Sequence, residues 1–402
     1  MKNQVTPWKV LGERNFGLFW SSLLISGIGT QISQVTIAWQ IYEITNSPLQ
    51  LGLTGLFRVV PLMIFSLTGG VMADRMNRRW LMIITQSAAM TFALVLALLT
   101  TSGYIRVWHI YALTFLTTAA GSIDIPARSA LIPNLVPREY LTTAFALNVT
   151  LRQSATLIGP FLGGLVIAGL GIAPAYYINA LSFLAVIVSL LVMRVAEAHP
   201  TTHHQPALKS MGEGLSFVRA NPGILALMIM DTCVNFFGSY RSMMPVFARD
   251  LLDVGPKGLG ALLGAPALGA LAGSACAMIA GNPKRKGRIA VIVTLAYVAG
   301  LILFALSRSF AFSLLIAFAL GAFDAFGETL RVTVVQLATP DHLRGRVQSL
   351  VHLFATGGPH LGQVQLGATA ALMGAPAALL LGGVVAAVVI SSLAGKVSRL
   401  KE

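Results

Sequence analysis

Long apolar runs, separated by short loops that hold most of the charges, occupy nearly the whole chain. Of its 402 residues, 55% are hydrophobic and 10% are charged, whereas roughly a quarter of the residues of a soluble domain are charged. A helix needs about 20 apolar residues to cross a bilayer, so the pattern leaves no room for a separate soluble domain. We predict an all-α membrane protein with twelve transmembrane helices, at residues 16–41, 49–73, 80–101, 107–127, 142–169, 173–193, 222–247, 258–281, 289–306, 309–330, 346–371 and 376–394.

The positive charges are distributed unequally between alternate loops. Of the 28 lysines and arginines, 21 fall on one side of the predicted bundle, four on the other and three inside spans. This asymmetry is typical of membrane proteins, whose cytoplasmic loops are basic. It predicts a multi-pass protein of the inner or plasma membrane with both termini cytoplasmic. The net charge of +14 then faces anionic lipid headgroups, and we expect no nucleic-acid partner.

Three short elements of the first half of the chain recur in the second half at an offset of about 200 residues. They are Gly159–Gly163 and Gly358–Gly362, Gly121 with Asp124 and Gly321 with Asp324, and Leu135–Leu141 and Leu337–Leu343. We therefore predict two pseudo-symmetric six-helix halves, residues 1–194 and 222–402, joined by a cytoplasmic linker at 195–221. Such a duplication places a cavity at the membrane midplane and permits alternating access.

The loop after the second predicted helix reads Gly69-Gly70-Val71-Met72-Ala73-Asp74-Arg75-Met76-Asn77-Arg78-Arg79. It resembles the signature loop of the major facilitator superfamily, in which a Gly, three residues and Asp-Arg precede a second Gly and two basic residues. Asn77 stands where that second Gly is usual, and Asn is the next best residue at a left-handed backbone position. The resemblance implies the major facilitator fold for the whole chain.

The fifth predicted helix contains Gly159-Pro160-Phe161-Leu162-Gly163-Gly164, which resembles the Gly-Pro-x-x-Gly-Gly element of the drug:proton antiporters. The proline removes a backbone hydrogen bond and the glycines admit a close neighbour, so we expect this element to bend the helix or to seal it against another one. The stretches Asp124–Pro133 and Thr339–Arg346 are similar to those of bacterial macrolide exporters and of the enterobactin exporter. The repeat of the bending element comprises Gly358, Pro359 and Gly362.

The resemblance implies that the signature loop acts as a latch on the cytoplasmic side. In the superfamily its Asp lies against the N-terminal end of helix 11, and its second Arg pairs with an acid at the end of helix 4, where Asp124 lies here. The latch would comprise Gly70, Asp74, Arg75, Arg78 and Asp124 and would hold the outward-facing state. On one helical turn, Asp74 and Arg78 would share a face. The alternative is that these charges only set the topology.

Charged residues inside predicted spans are costly and therefore mark candidate functional sites. Asp231 lies about 18 Å along its helix beyond Arg219, near the midplane. We predict that Asp231 is the proton-coupling acid, the alternative being a static ion pair with Arg58 or Arg152. Asp324 and Glu328 share one helix face, either as a gate or as further proton-coupling candidates.

Polar and aromatic residues of the same helices indicate the wall of the cavity. Amides and aromatic rings together suit an amphiphilic, ring-bearing substrate, and embedded arginines leave room for an anionic one. The alternative is that these residues only pack helices together. The candidates are Gln31, Gln34, Arg58, Asn148, Arg152, Asn235, Phe236, Tyr240 and Arg241.

These patterns predict a secondary transporter that exports a hydrophobic or amphiphilic small molecule in exchange for protons. A siderophore exporter of the enterobactin type is the alternative, and a non-transporting membrane sensor is a remote one. We expect a monomer. We also expect no cofactor or metal, because the sequence has no nucleotide-binding motif and no residues at metal-ligand spacing. No group of nucleophile and base at suitable spacing indicates an enzyme.

Overall fold

The computed structural model of the protein describes residues 6–193, 207–281, 285–341 and 343–397. Within these ranges all regular structure is helical. The α-helices of the first half are α1 Pro7–Gly12, α2 Arg14–Thr45, α3 Pro48–Leu53, α4 Leu56–Arg75, α5 Arg78–Thr101, α6 Val107–Leu131, α7 Leu141–Leu170 and α8 Ile172–Val192. Those of the second half are α9 Ala207–Ala220, α10 Pro222–Phe237, α11 Met244–Val246, α12 Gly255–Ala280, α13 Lys286–Leu306, α14 Phe310–Ala338, α15 Arg344–Met373 and α16 Ala375–Val397.

Each of the twelve predicted spans coincides with one long helix or with consecutive helical segments of the described chain. By length and composition, nine segments in the described ranges are apolar enough to cross a membrane. The other three spans coincide with α2, α6 and α15. Large apolar side chains remain exposed on the helix surfaces, for example Leu181, Val188 and Leu191 on α8. Such a surface suits lipid and not water.

The contacts divide the chain into two compact units, Met1–Thr45 with Phe57–Thr202 and Asn46–Leu56 with His203–Glu402. In the first unit, α2 packs on α7 and α8, and α5 packs on α6 and α8. A buried polar network ties three of these helices together. The Tyr176 hydroxyl donates to Oε1 of Gln40 at 2.8 Å, and Nε2 of Gln40 donates to the Thr100 hydroxyl at 3.1 Å.

In the second unit, α14 packs on α12 and α13, and α16 packs on α10 and α13. The short helix α3 belongs to this unit because it packs on α15. The backbones meet at glycines: Cα of Gly367 lies 2.7 Å from the point where a Cβ of Gly52 would be. Side chains at either position would push the two helices apart.

Three predicted boundaries change in the structure. The tenth predicted span, 309–330, ends too early, because α14 continues to Ala338 and includes Arg331. The predicted linker 195–221 contains α9, whose Glu213 forms an ion pair with Arg346 of α15. The predicted span 222–247 is not one helix, because α10 ends at Phe237 and a 3₁₀ turn, Tyr240–Met243, follows.

Candidate functional site

A buried arginine organises the polar centre of the second unit. Arg331 lies near the end of α14, and only 5% of it is exposed. Its Nη2 lies 2.9 Å from Oδ1 of Asp231 on α10 and 3.8 Å from Oδ1 of Asp324 on its own helix. Its Nη1 donates to the hydroxyl of Thr294 on α13 at 3.3 Å. A buried charge is tolerated only where it is paired and hydrogen-bonded, so these contacts fix the guanidinium.

Asp231 is held at both carboxylate oxygens. Oδ1 faces Arg331, and Oδ2 accepts a hydrogen bond of 3.3 Å from Nδ2 of Asn235, one helical turn later. The same amide also donates to the backbone carbonyl of Asp231 at 2.9 Å. The Asp231 side chain is 20% exposed, so it remains accessible although it is paired.

This ion pair forms one wall of a cavity between α10, α14 and α15. The open space is about 440 Å³, including its mouth. Glu328, one turn before Arg331, also lines the cavity. Glu328 is exposed and forms no hydrogen bond or ion pair with any described residue. The rest of the lining is apolar and consists of Leu227, Met228, Val332, Val335, Val351, Phe354 and Ala355.

The structure brings together Asp231, Asp324, Glu328 and Asn235, four of the residues that the sequence analysis selected. The predicted static partners of Asp231, namely Arg58 and Arg152, are replaced by Arg331. Arg331 was not among the candidates, because the predicted end of its helix at residue 330 placed it with the loop cations. Its spacing was a usable signal, because a residue seven positions after Asp324 lies two helical turns along the same face.

The remaining candidates of the second unit lie around the end of α10. Phe236 is half-buried and its ring packs edge-on against Phe237. Tyr240 is buried against the ring of Phe304. Arg241 is exposed in the 3₁₀ turn. None of these three lines the cavity described above.

In the first unit, the candidates do not form one described cluster. Nε2 of Gln31 on α2 donates to the hydroxyl of Thr156 on α7 at 2.9 Å. No described residue forms an ion pair with Arg58 or Arg152. Arg58 and Asn148 are half-buried, whereas Gln34 and Arg152 are exposed.

Asp124, which was expected to pair with Arg78, has other partners. It is 2% exposed, and Nη2 of Arg128 lies 2.7 Å from its Oδ2. The Thr85 hydroxyl and Nε2 of Gln86 each donate to Oδ1 at 3.0 Å. Arg78 instead donates to the carbonyl of Ala130 at 3.0 Å. Arg128 pairs with Asp124 in place of Arg78, because it lies one turn from Asp124 on the same helix.

The backbone of the signature loop also differs from the expectation. Asn77 has a φ of −60° and caps α5, since its side-chain oxygen accepts from the backbone N–H groups of Arg79 and Trp80. The expected left-handed conformation is therefore wrong. Because α4 ends at Arg75 and α5 begins at Arg78, Asp74 and Arg78 do not share one helical turn.

Of the other latch residues, Gly70 is half-buried, with open space where a Cβ would be, and Arg75 is exposed. The side chain of Asp74 lies outside the described residues.

The glycines of the two Gly-Pro elements are contact points between helices. A Cβ on Gly159 would meet the side chain of Gln31, and one on Gly163 would lie 3.3 Å from Cα of Ile32, so α7 lies close against α2. A Cβ on Gly362 would meet the carbonyl of Phe236, so α15 lies equally close to α10. Gly164 and Gly358 are buried, and both prolines, Pro160 and Pro359, lie inside continuous helices.

The fold is that of major facilitator transporters. A solved bacterial homologue of the human lysosomal transporter Spinster, in an inward-facing and unoccupied conformation, has a TM-score of 0.73 at 14% identity, covering 96% of this chain and 97% of that one. A POT family transporter in complex with 5-aminolevulinic acid has a TM-score of 0.75 at 11% identity, covering 97% of each chain. With the apolar helices described above, the fold defines a multi-pass membrane protein.

The chain belongs to the transmembrane secretion effector family of the major facilitator superfamily, whose model matches residues 5–402. Among curated relatives, the enterobactin exporter EntS of Shigella boydii is 26% identical over 349 residues, which are 87% of this chain and 83% of the relative. The enterobactin exporter EntS of Escherichia coli O1:K1 is 25% identical over the same shares of the two chains.

Proposed function

We propose that this transporter exports an amphiphilic small molecule in exchange for protons, with its site exposed alternately to the two sides of the membrane. The observation that carries the proposal is the pairing of Arg331 with Asp231 beside the unpaired carboxylate of Glu328 in a largely apolar cavity. The relatives named as exporters support the direction of transport.

Proton coupling follows from the ratio of charges at this site. An arginine keeps its charge at every physiological pH, whereas a carboxylate in an apolar surrounding can be neutralised by one proton. Three carboxylates, Asp231, Asp324 and Glu328, lie in the region of Arg331. A second guanidinium, that of Arg241, also acts electrostatically on Asp324, so negative charge remains in excess by one. The excess negative charge can therefore be neutralised either by a proton or by a group of the substrate. If the two replace each other during transport, proton entry is coupled to substrate export.

A siderophore exporter of the enterobactin type is the second candidate. The observation that favours it is the similarity to enterobactin exporters over 87% of this chain. The partners of Asp124, namely Arg128, Thr85 and Gln86, lie outside the signature loop, so they do not supply the contact that the latch hypothesis expected. We assign Gly70, Asp74, Arg75 and Arg78 to that latch on the resemblance alone.

For the placement of the protein, we propose an inner or plasma membrane location with both termini cytoplasmic. The support is the concentration of lysine and arginine in alternate loops, which also places them beside anionic headgroups. We further propose a monomer made of two six-helix halves, with residues 195–221 between them.

The experiment uses everted membrane vesicles that contain the protein, a panel of amphiphilic and siderophore substrates, and a fluorescent pH reporter. Substrate addition should release protons from acid-loaded vesicles, and Asp231→Asn should abolish this release, because the site loses one exchangeable charge. Asp341→Asn is the matched control, since Asp341 is 88% exposed and lies outside the cavity. Unchanged proton release by Asp231→Asn would remove Asp231 from the mechanism.

A further inference from the structure

The charges that line the cavity between α10, α14 and α15 do not balance. Its ionisable lining consists of Asp231, Glu328 and Arg331, which is two carboxylates against one guanidinium. Beside the lining, Asp324 lies 3.8 Å from the same guanidinium, and Arg241 acts electrostatically on Asp324, so these two charges leave the excess of one carboxylate unchanged. No described charged residue of α15 faces the cavity, since α15 contributes Val351, Phe354 and Ala355.

The guanidinium has little capacity left for an anionic ligand. Its Nη2 faces Asp231 and Asp324, and its Nη1 donates to Thr294. Only 5% of the surface of Arg331 is exposed. A guanidinium has five N–H groups, and its Nε has no acceptor among the described residues, so a neutral ligand oxygen or a water can still bind there. An anion bound to Arg331 would also lie next to the carboxylates of Asp231 and Asp324, which would repel it.

Glu328 has the opposite property. Its carboxylate lines the cavity, is exposed and has no described partner. The part of the lining that α15 contributes is apolar and includes the aromatic side chain of Phe354, and the face of an aromatic ring attracts cations. The charged group that remains free to bind a ligand in this cavity is therefore the carboxylate of Glu328, which lies among apolar side chains.

We infer that this cavity binds an organic cation, with its positive group at Glu328 and its apolar body against Val351 and Phe354. The inference rests on the proposed export function and specifies the charge of the exported compound. It makes Glu328 the residue that contacts the ligand, and Arg331 with Asp231 the ion pair that closes the cavity to anions.

Two ions of the same shape and opposite charge test this inference. Tetraphenylphosphonium and tetraphenylborate are titrated against the purified protein in lipid nanodiscs, with empty nanodiscs as the blank. The protein should bind tetraphenylphosphonium saturably and should show no saturable binding of tetraphenylborate. Glu328→Gln should weaken tetraphenylphosphonium binding by about tenfold or more, because a charge-assisted contact is worth at least that factor.

Two further variants separate a ligand contact from a structural effect. Glu328→Asp keeps the charge and should restore part of the affinity. Glu139→Gln removes an exposed carboxylate of the first unit and should leave the affinity unchanged. Size-exclusion profiles check that each variant is folded. We expect the Glu328 variants to fold, because Glu328 is exposed.

The inference is wrong if the unaltered protein does not bind tetraphenylphosphonium saturably, if tetraphenylborate binds as tightly, or if Glu328→Gln binds like the unaltered protein. These measurements need no proton gradient. Cation binding without proton release from vesicles would leave the cation site in place and refute antiport. Proton release without cation binding would refute the cation site alone.

Discussion

At the scale of single residues, the position of Arg331 decides what the site can do. In the sequence it follows an apolar run and looks like a cation of the next loop. The local sequence does not reveal that α14 continues for seven further residues, to Ala338. Its main partner, Asp231, is far away along the chain, on α10. Hydropathy detects depth in the membrane, but it does not detect a partner that only tertiary packing supplies.

Removal of this guanidinium should destabilise the protein strongly. Arg331→Met leaves Asp231 and Asp324 without their common counter-charge, and breaking a buried ion pair costs about 3–5 kcal/mol. Thermal unfolding in detergent should therefore occur at a clearly lower temperature. The double variant Arg331→Met with Asp231→Asn should recover part of the loss, because no uncompensated charge remains at that position.

Arg308→Met serves as the control, because Arg308 is exposed and lies between α13 and α14. It should unfold at the same temperature as the unaltered protein. The two single variants, Arg331→Met and Asp231→Asn, are measured alongside the double variant. If the double variant loses as much stability as the two single variants together, the interaction between Arg331 and Asp231 does not contribute to stability.

At the scale of elements, length and hydropathy predicted twelve spans, and each coincides with described helices, of which nine segments are long and apolar enough to cross a membrane. Helix ends were harder to predict, because they depend on single capping residues. Asn77 caps α5, and Gly171, with a φ of 96°, separates α7 from α8. Helix α10 ends at Phe237 with Gly238 as its C-cap, and a 3₁₀ turn follows. The surrounding residues are as apolar as those of a continuous helix, so hydropathy does not indicate this end.

Helix α7 offers a matched pair of glycines for testing close packing. A Cβ at Gly159 would meet the side chain of Gln31, whereas Gly169 has open space around it. Gly159→Ala should destabilise the protein by about 1–3 kcal/mol through overpacking. Gly169→Ala should stabilise it by up to about 1 kcal/mol, because Ala is the better helix former.

Unfolding by denaturant titration in mixed micelles measures both changes against the unaltered protein. Equal effects of the two substitutions would mean that α7 does not depend on its close contact with α2.

At the scale of the whole molecule, the repeat in the sequence corresponds to the same contact in each unit. The first Gly-Pro element places α7 against α2, and the second places α15 against α10. The duplication was therefore readable from the sequence, since close helix contacts constrain a few positions strongly. The polar sites of the two units differ, however, because Asp124 and Asp324 occupy equivalent positions and have different partners. The partners of Asp124 are Arg128, Thr85 and Gln86, and that of Asp324 is Arg331. All of them lie outside the repeated elements.

The orientation in the membrane predicts which loops a membrane-impermeant thiol reagent can reach. In a background with Cys233→Ala and Cys276→Ala, Arg308→Cys should react in intact cells, because it lies in an expected outer loop. Arg138→Cys, equally exposed but in an expected inner loop, should react only after the cells are opened. Labelling of Arg138→Cys in intact cells would reverse the proposed orientation.

The short helix α3 affects any attempt to divide this protein at its middle. A polypeptide that stops near residue 194 retains α3, but it lacks the part of α15 around Gly367 that lies against Gly52. Such a fragment would expose to lipid or detergent a helix whose packing partner is encoded more than 300 positions later. Co-production of both fragments would restore that partner, so complementation, and not isolated expression, is the appropriate way to study either part.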